Sequence, residues 1–298
     1  MKIILFSRRG VAHAADEVRL IFERIETLGY DWAVNEEFAG TVEELTGRTV
    51  APERRYGKRM TLPQQDEAVL LCYGGDGTLL EGIQRLDGAE IPVAGINSGH
   101  LGFLTSAPQN GIREIFEQIR TGTLRCEARS MLEVRSDFGG EETPRHAINE
   151  VAVQRQGAGM IAVETYIDGQ MVATYCGDGL LVSTPTGSTA YSLSAGGPVV
   201  APSCACLILT PIAPHNLTMR PIVVPDRSEI TLRLHTRQAR ISVSADNEAF
   251  RVADGACLTI RRAQRRFFLA VAHNISFYDT LRNKMMWGVD PRSDRKPL

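Results

Sequence analysis

The stretch Ala68-Val-Leu-Leu-Cys-Tyr-Gly-Gly-Asp-Gly-Thr78 decides the fold. Its continuous apolar run, from residue 68 to residue 72, is typical of a strand that is covered on both faces. Beyond the glycines, apolar residues recur with helical spacing at Leu79, Leu80, Ile83 and Leu86. The pattern therefore predicts a buried strand that turns sharply into a helix.

The glycine turn predicts phosphate binding. Glycine permits a sharp turn and lets a ligand approach backbone N–H groups, and the start of a helix favours anions. We expect the backbone at Gly74, Gly75, Gly77 and Thr78 to contact phosphate. A Walker loop is excluded because no Gly-Lys-Ser/Thr sequence follows.

Asp76 lies inside this turn and needs its own explanation. A carboxylate about 4 Å from a phosphate oxygen costs on the order of 4 kcal/mol at an effective dielectric near 20. Asp76 therefore either holds a divalent cation shared with the phosphates or takes a proton from a hydroxyl group that attacks them. Both alternatives indicate phosphoryl transfer. A Gly-Asp-Gly turn with no ligand is the purely structural alternative.

Composition narrows the class of protein. A chain of 298 residues favours two domains, and a net charge of −2 gives no electrostatic reason for nucleic-acid or membrane binding. The six cysteines are scattered, and we expect them to be reduced. The chain opens on a strand-like segment rather than a signal peptide, and no run of about 20 apolar residues occurs. We therefore expect a cytoplasmic protein.

The hydrophobic pattern divides the chain into two parts. Residues 1–123 predict an α/β domain with a parallel sheet and flanking helices, one of which is expected to start at Thr41, since Thr41 and Glu44 have capping-box spacing. Residues 124–275 predict a mostly-β domain of short alternating strands. Residues 276–298 regain helical spacing, and we expect them to dock back onto the first domain.

Two further motifs are candidates for ligand binding. The segment Asn97–Phe103 is a second glycine-bearing loop at the end of a predicted strand, where ligands bind in open parallel sheets. Asn149 and Glu150 are adjacent polar residues in a predicted strand from 147 to 154. Glu150 could accept both hydroxyls of a ribose. Polar residues at a bend of a strand are the structural alternative.

A third motif runs from Gly177 to Pro198. A strand leads into Pro185, after which small and hydroxyl residues begin a short helix that suits close approach of a polar or anionic ligand. Tyr191 offers a flat surface on which a base or nicotinamide can stack. Neither Ser188 nor Ser192 lies in a Gly-x-Ser-x-Gly elbow, which argues against a serine nucleophile.

Together these motifs resemble those of the NAD kinase family. The resemblance rests on Gly74–Thr78, Asn97–Phe103, Asn149-Glu150, Asp178–Pro198 and Arg220–Pro225, which span most of the chain in the expected order. The Gly-Gly-Asp-Gly-Thr turn is shared with diacylglycerol and sphingosine kinases. The block from Thr184 to Tyr191 is the part that distinguishes NAD kinases.

The resemblance implies an α/β domain followed by a mostly-β domain, a site between them, and transfer of a phosphate from ATP or another donor to the 2'-hydroxyl of the adenosine ribose of NAD. It implies a divalent cation, usually Mg²⁺, and a homodimer or homotetramer in which Asp178 could serve the NAD of a neighbouring subunit. Asp76 would be the general base. The residues implied to bind NAD are Asp76, Gly77, Asn149, Glu150, Asp178, Thr189, Ala190, Tyr191, Ser192, Leu193 and Ser194.

Two segments depart from the family pattern. Asp246-Asn-Glu248 stands where many relatives have Asp-Gly-Gln, and a glutamate cannot donate a hydrogen bond as a glutamine does. Arg8-Arg9 stands where many relatives have a lysine, which leaves the contacts to the phosphate donor open. Asn97, Phe103 and Glu248 are further candidate site residues. The alternative functions are a lipid kinase of the diacylglycerol or sphingosine kinase type and a non-catalytic NAD(P)-binding sensor.

Overall fold

The computed structural model describes the chain except for residues 61, 63–66, 87, 98–101, 106–110, 137–143, 238–239, 272–275 and 288–298. Two compact units are present. Unit 1 comprises Met1–Ala128 and Phe267–Leu298, and unit 2 comprises Arg129–Arg266. The chain thus changes unit after residues 128 and 266, whereas the sequence pattern placed the two changes after residues 123 and 275.

Unit 1 contains a parallel sheet with helices between its strands. The strands are β1 (Lys2–Phe6), β2 (Asp31–Asn35), β3 (Arg55–Tyr56), β4 (Ala68–Tyr73) and β5 (Pro92–Ile96), in the order β5-β4-β1-β2-β3. The helices are α1 (Ala15–Thr27), α2 (Glu36–Thr46), α3 (Asp76–Gln84) and α4 (Gly111–Thr121). The predicted α/β fold with a parallel sheet is confirmed.

The core of unit 1 explains the apolar run with which β4 begins. All six residues of β4 are buried. Leu71 shares one hydrophobic cluster with Phe22 of α1 and Phe116 of α4. A strand that is covered by helices has no solvent-facing side, and its sequence therefore shows no polar alternation.

The helix predicted to start at Thr41 starts earlier. Helix α2 begins at Glu36, and its N-cap residue Asn35 makes no side-chain capping bond. Phe38 and Val42 of this helix are buried, so that burial of an apolar face, rather than a cap at Thr41, determines where the helix lies. The prediction of a start at Thr41 was therefore wrong.

Unit 2 is built mainly of antiparallel strands. Its first strand, β6, begins in unit 1, and its last strand, β17, ends there. The strands are β6 (Cys126–Ser136), β7 (Arg145–Ala147), β8 (Glu150–Arg155), β9 (Ile161–Ile167), β10 (Gln170–Gly177), β11 (Gly179–Ser183), β12 (Cys206–Ile212), β13 (Ile222–Pro225), β14 (Ile230–Thr236), β15 (Ile241–Ala245), β16 (Glu248–Val252) and β17 (Cys257–Ala270). One sheet has the order β13-β12-β11-β8-β15-β16. Among the remaining strands, β10, β9, β14 and β17 are hydrogen-bonded to one another in that order, and β6 pairs with both β17 and β7. The predicted mostly-β fold is confirmed.

Apolar side chains from both groups of strands form the core of unit 2. Val151 and Val182 of the six-stranded sheet share one cluster with Val163 and Leu232 of the other. A short helix, α5 (Tyr191–Ser194), follows β11 and a 3-10 turn over Thr186–Thr189. The predicted strand from 147 to 154 is interrupted, because β7 ends at Ala147 and β8 begins at Glu150.

The last part of the chain belongs to unit 1. Phe268 and Leu269, near the end of β17, pair in parallel with Pro92 and Val93 of β5. Helix α6 (Phe277–Met285) follows, and a capping box between Ser276 and Asp279 fixes its first turn.

Candidate functional site

In unit 1, the glycine turn joins β4 to α3 as a tight connection. Gly74 has a φ of 148°, and its N–H donates to the Ile96 carbonyl at 2.9 Å. A Cβ atom at Gly74 would lie 2.5 Å from Thr78 Oγ1. Both the backbone conformation and the close approach therefore require glycine at this position.

The first turn of α3 offers free donors. The N–H groups of Thr78 and Leu79 bond to the Gly75 carbonyl, whereas those of Gly75, Asp76 and Gly77 reach no acceptor within the described part of the chain. Free N–H groups at the start of a helix form an anion site. Of the four residues at which the sequence predicted backbone contacts to phosphate, Gly75 and Gly77 have free N–H groups, whereas the N–H groups of Gly74 and Thr78 are already bonded to carbonyls.

Arg8 adds a positive charge to this anion site. Its Nε donates to Thr78 Oγ1 at 3.3 Å and lies 4.0 Å from a carboxylate oxygen of Glu81. Its guanidinium also limits the space beside Gly77, where an added Cβ would lie 3.3 Å from Nη2. The sequence left the role of Arg8 open, and the fold brings it to the start of α3.

Asp76 is held by the end of the second glycine-bearing loop. Oδ1 accepts the N–H groups of Leu104 and Thr105 and the hydroxyl of Thr105, and Oδ2 accepts the N–H of Phe103 at 2.9 Å. An added Cβ at Gly102 would lie 1.9 Å from Oδ1. The carboxylate is thus fixed in place, and Oδ2 is the oxygen with only one such donor. Residues 98–101 of the predicted loop lie outside the described residues, and Asn97 is buried at its start.

In unit 2, Glu150 lies on a face of the sheet that is separate from the core. It pairs with Ser183 of β11, and its carbonyl accepts the N–H of Asp246 at 3.0 Å. Residues directly opposed in antiparallel strands point to the same face, and every second residue of β8 shares it. Gln154 is therefore on the Glu150 face, whereas Val151 belongs to the core.

The segment Thr186–Ser194 covers this face. Gln154 Nε2 donates to the Tyr191 hydroxyl at 2.7 Å, and the hydroxyls of Ser192 and Thr210 lie 2.9 Å apart. Ser192 is fully buried, whereas Thr189, Ala190, Tyr191 and Leu193 are partly buried and Ser194 is exposed. The buried hydroxyl of Ser192 therefore holds the segment on the sheet, and the partly exposed residues remain open to a ligand.

The same segment packs directly on Asn149. Thr184 donates its N–H to the Asn149 carbonyl at 2.9 Å. An added Cβ at Gly187 would lie only 2.1 Å from that carbonyl oxygen. Close packing against Asn149 thus explains the glycine of the Thr-Gly-Ser-Thr sequence.

Glu150 is a buried carboxyl group with a free oxygen. Its Oε2 is buried and has no hydrogen-bond partner among the residues that the structure describes. Burial, followed by the nearby Asp246 carboxyl, raises its pKa from the usual 4.5 to about 8, against the opposing effect of the Tyr191 N–H. At neutral pH the group is therefore mostly protonated, so that it can donate one hydrogen bond and accept another. The sequence had suggested two accepting oxygens.

Asp246 fixes the break between β7 and β8. Its carboxylate accepts the N–H groups of Ile148, Asn149 and Glu150 at 2.6, 2.8 and 3.1 Å. Burial raises the pKa of Asp246, and the three N–H donors oppose that rise. Sequence reasoning considered this residue only as part of a divergent triplet. The structure shows that it positions both Asn149 and Glu150.

We expect Asp246→Ala to weaken both the fold and NAD binding. The change leaves three N–H groups without their acceptor, which should cost on the order of 3 kcal/mol of unfolding free energy. If Asn149 and Glu150 hold NAD, as the family resemblance implies, the loss of their support should also raise the dissociation constant for NAD about tenfold. Urea unfolding and calorimetric NAD titration measure the two effects.

Asp254→Ala is the matched control for Asp246→Ala. Asp254 is exposed and accepts a single N–H, from Thr236, at 2.7 Å. Its loss should cost about 1 kcal/mol and leave NAD affinity unchanged. Equal NAD affinities for Asp246→Ala and the wild type would show that Asp246 supports the fold alone.

Asp178 and Glu248 lie at more exposed positions in unit 2. Asp178 forms a two-bond ion pair with Arg155, at 2.5 Å to Nε and 3.3 Å to Nη2, and its side chain is 43% exposed. Glu248 is 60% exposed and lies 3.5 Å from Arg145. The ion pair fixes the direction of the Asp178 carboxylate, whereas Glu248 projects into solvent.

The described residues contain no group of three or more His, Cys, Asp or Glu side chains that could hold a metal ion. All six cysteines are free thiols. No helix in the described part of the chain is long and apolar enough to cross a membrane.

Comparison with known proteins gives matches in both units. Residues 3–124 match the ATP-NAD kinase N-terminal domain, and residues 148–271 match the ATP-NAD kinase C-terminal domain. An NAD kinase of Bacteroides fragilis is 35% identical over 293 residues, which cover 98% of this chain and 100% of the relative. An NAD kinase of Cytophaga hutchinsonii is 40% identical over 226 residues, which cover 76% of this chain and 77% of the relative.

Two solved structures share the fold. An NAD kinase from Archaeoglobus fulgidus in complex with ATP aligns with a TM-score of 0.71 and 26% identity, covering 96% of this chain and 98% of that one. Yeast NADH kinase complexed with NADH aligns with a TM-score of 0.84 over 99% of this chain and 90% of that one, at 21% identity. The yeast likeness concerns the fold alone.

Proposed function

The chain belongs to the NAD kinase family and is a phosphotransferase that makes NADP from NAD, and we propose that its Asp76 acts as the general base. The observation that carries this proposal is the fixed position of the Asp76 carboxylate. Backbone N–H groups of the second glycine-bearing loop fix the carboxylate beside the free N–H groups of α3. Among those loop donors, Oδ2 accepts only the N–H of Phe103. A fixed carboxylate with an available oxygen can take a proton from a hydroxyl group.

In the proposed reaction the 2'-hydroxyl oxygen of the adenosine ribose forms a bond to the terminal phosphorus of ATP. The bond from that phosphorus to the bridging oxygen breaks, and its electron pair leaves with ADP. The hydroxyl proton passes to Asp76 Oδ2. The family match and the ATP complex of the Archaeoglobus fulgidus relative support ATP as donor.

The donor phosphates are proposed to bind at the turn from Gly74 to Thr78. The N–H groups of Gly75 and Gly77 are free to donate to an anion, and Arg8, whose Nε donates to Thr78 Oγ1, adds a positive charge at the first turn of α3. The sequence alone left unexplained how phosphates could approach this turn past a carboxylate. The guanidinium of Arg8 gives a physical reason.

NAD is proposed to bind through unit 2. Protonated Glu150 can donate to one ribose oxygen and accept from another group, and Asn149 can do the same through its amide. The partly exposed residues Thr189, Ala190, Tyr191 and Leu193, together with Ser194, shape the rest of this pocket, in which the ring of Tyr191 can stack on a base. Ser192 contributes as a buried support for the segment.

We propose that Mg²⁺ acts with ATP. Mg²⁺ commonly binds through one or two carboxylates, substrate phosphates and water, and a dedicated cage of protein ligands is not needed. Because Oδ1 of Asp76 accepts three hydrogen bonds and Oδ2 takes the proton in the proposed reaction, the donor phosphates and water would supply most of the ligands of the ion. When bound, the ion neutralises negative charge on the donor phosphates.

We also propose a cytoplasmic homo-oligomer, a homodimer or homotetramer that needs neither nucleic acid nor membrane. Six free thiols agree with a reducing compartment. The exposed Asp178, oriented by Arg155, is available to the NAD of a neighbouring subunit. The comparisons give no support to the lipid kinase alternative. The anchored carboxylate of Asp76 argues against a sensor without catalysis.

An assay coupled to an NADP-specific dehydrogenase tests the function. Purified protein with NAD, Mg²⁺ and ATP should generate NADP, and a chelator should stop the reaction. Parallel reactions with other nucleoside triphosphates and polyphosphate rank the donors. The absence of NADP with every donor would exclude the proposed activity.

A further inference from the structure

Helix α6 brings a lysine to Asp76. Lys284 Nζ lies 3.6 Å from Asp76 Oδ2 and 4.8 Å from the centre of the Phe103 ring. Phe277, at the start of α6, lies against Phe103 with ring centres 6.2 Å apart. All of these residues belong to unit 1. The aromatic contacts therefore place the lysine at the oxygen that the proposed reaction uses.

Lys284 lies at one of the two carboxylate oxygens of Asp76, namely Oδ2. Oδ1 of Asp76 already accepts three hydrogen bonds from Leu104 and Thr105, whereas Oδ2 accepts one backbone N–H and faces the ammonium group. A substrate hydroxyl must reach Oδ2, since Oδ1 is occupied. The ammonium must therefore share this space or move when the substrates bind.

The lysine is able to move. Its side chain is 39% exposed, and its charge is carried on a flexible four-carbon stem. The first turn of α3 carries free N–H groups and the guanidinium of Arg8, a combination that attracts phosphate. A phosphate bound there offers the ammonium a second negatively charged partner close to Asp76.

We propose that Lys284 is a catalytic residue that neutralises Asp76 in the free enzyme and stabilises the transferring phosphoryl group during the reaction. The inference rests on the proposed function of Asp76 and the phosphate turn. In the transition state negative charge spreads over the phosphoryl oxygens and the leaving phosphate. The ammonium compensates that charge, while the proton of the attacking hydroxyl goes to Oδ2 of Asp76.

Three variants test the proposal: Lys284→Gln, Lys284→Arg and Lys2→Gln. Lys2 is the matched control, because its Nζ lies 3.7 Å from Asp31 Oδ2, so that it also pairs with an aspartate of unit 1 but one outside the glycine turn. Measurements are kcat, KM for ATP, the dissociation constant for NAD, and the thermal unfolding midpoint of each variant.

Lys284→Gln should lower kcat/KM for ATP by roughly 10- to 100-fold, which is less than the roughly 10²- to 10³-fold contributed by a donor in a water-excluded site, because the Lys284 side chain is 39% exposed. Its NAD affinity and unfolding midpoint should stay close to those of the wild type. Lys284→Arg should recover most of the lost activity, and Lys2→Gln should match the wild type.

The proposal is overturned if Lys284→Gln retains kcat/KM for ATP within twofold of the wild type. It is also overturned if activity falls together with the unfolding midpoint and Lys284→Arg does not restore it, since that result indicates a structural role. Failure of the wild-type protein to form NADP is a separate result, which contradicts the proposed function itself.

Discussion

Asp76→Asn is expected to lower turnover of NAD by about 10²- to 10⁴-fold, the usual contribution of a general base, with little change in NAD affinity. The amide cannot accept the proton of the 2'-hydroxyl, whereas NAD is held mainly by residues of unit 2 in this account. Steady-state kinetics and calorimetric titration with NAD measure the two quantities on the same preparation.

The Asp76→Asn change removes both a hydrogen-bond acceptor and the proposed base, so the effects of these two losses on turnover must be distinguished. In Asp76→Asn, an amide nitrogen replaces one oxygen that accepts a backbone N–H, which should destabilise unit 1 modestly. Asp168→Asn is the matched control, because the Asp168 carboxylate accepts the Glu229 N–H and the Ser228 hydroxyl far along the chain from the turn. This control should lose stability but keep turnover. Turnover within tenfold of the wild type for Asp76→Asn would remove Asp76 from the role of base.

Glu150→Gln is expected to stabilise the protein at alkaline pH while it weakens NAD binding. The pKa of Glu150 is about 8 in the folded protein and near 4.5 when the chain is unfolded. Between these values the folded state binds the additional proton, so the stability of the wild type falls as the pH rises. The penalty is complete above about pH 8. A shift from 4.5 to about 8 corresponds to on the order of 5 kcal/mol.

The amide of Glu150→Gln carries no such penalty and can donate to the neighbouring Asp246 carboxylate. The unfolding free energies of variant and wild type should therefore be nearly equal at pH 5 and should separate progressively up to pH 9. Glu229→Gln, at an exposed position in the same unit, should show no separation. A constant difference between Glu150→Gln and the wild type across this pH range would show that Glu150 is ionised throughout.

Much of the fold was predictable because its local patterns agree with its tertiary environment. The apolar run that opens β4 predicted a covered strand, and all six residues of that strand are buried. Other elements depend on contacts distant in sequence. The capping-box spacing at Thr41 was misleading because burial of Phe38 extends α2 toward its start. The break at Asn149 is stabilised by Asp246, 97 residues away along the chain.

The candidate site was predictable where residue type and turn chemistry decide it. Asp76 and the three glycines carried that information in their own sequence. The roles of Arg8, Asp246 and Lys284 were hidden, since each reaches its position through tertiary contacts. The protonation of Glu150 was equally hidden, because it follows from burial and from the nearby carboxyl of Asp246. Which of these residues contacts NAD and which contacts ATP stays a prediction.

The most direct test of the account is the position of the phosphate in the product. Purified protein is incubated with NAD, ATP and Mg²⁺, and phosphorus NMR of the isolated dinucleotide locates the new group. We predict a phosphate on the 2'-oxygen of the adenosine ribose. A phosphate on any other hydroxyl, or an unmodified dinucleotide with every donor tried, would contradict it.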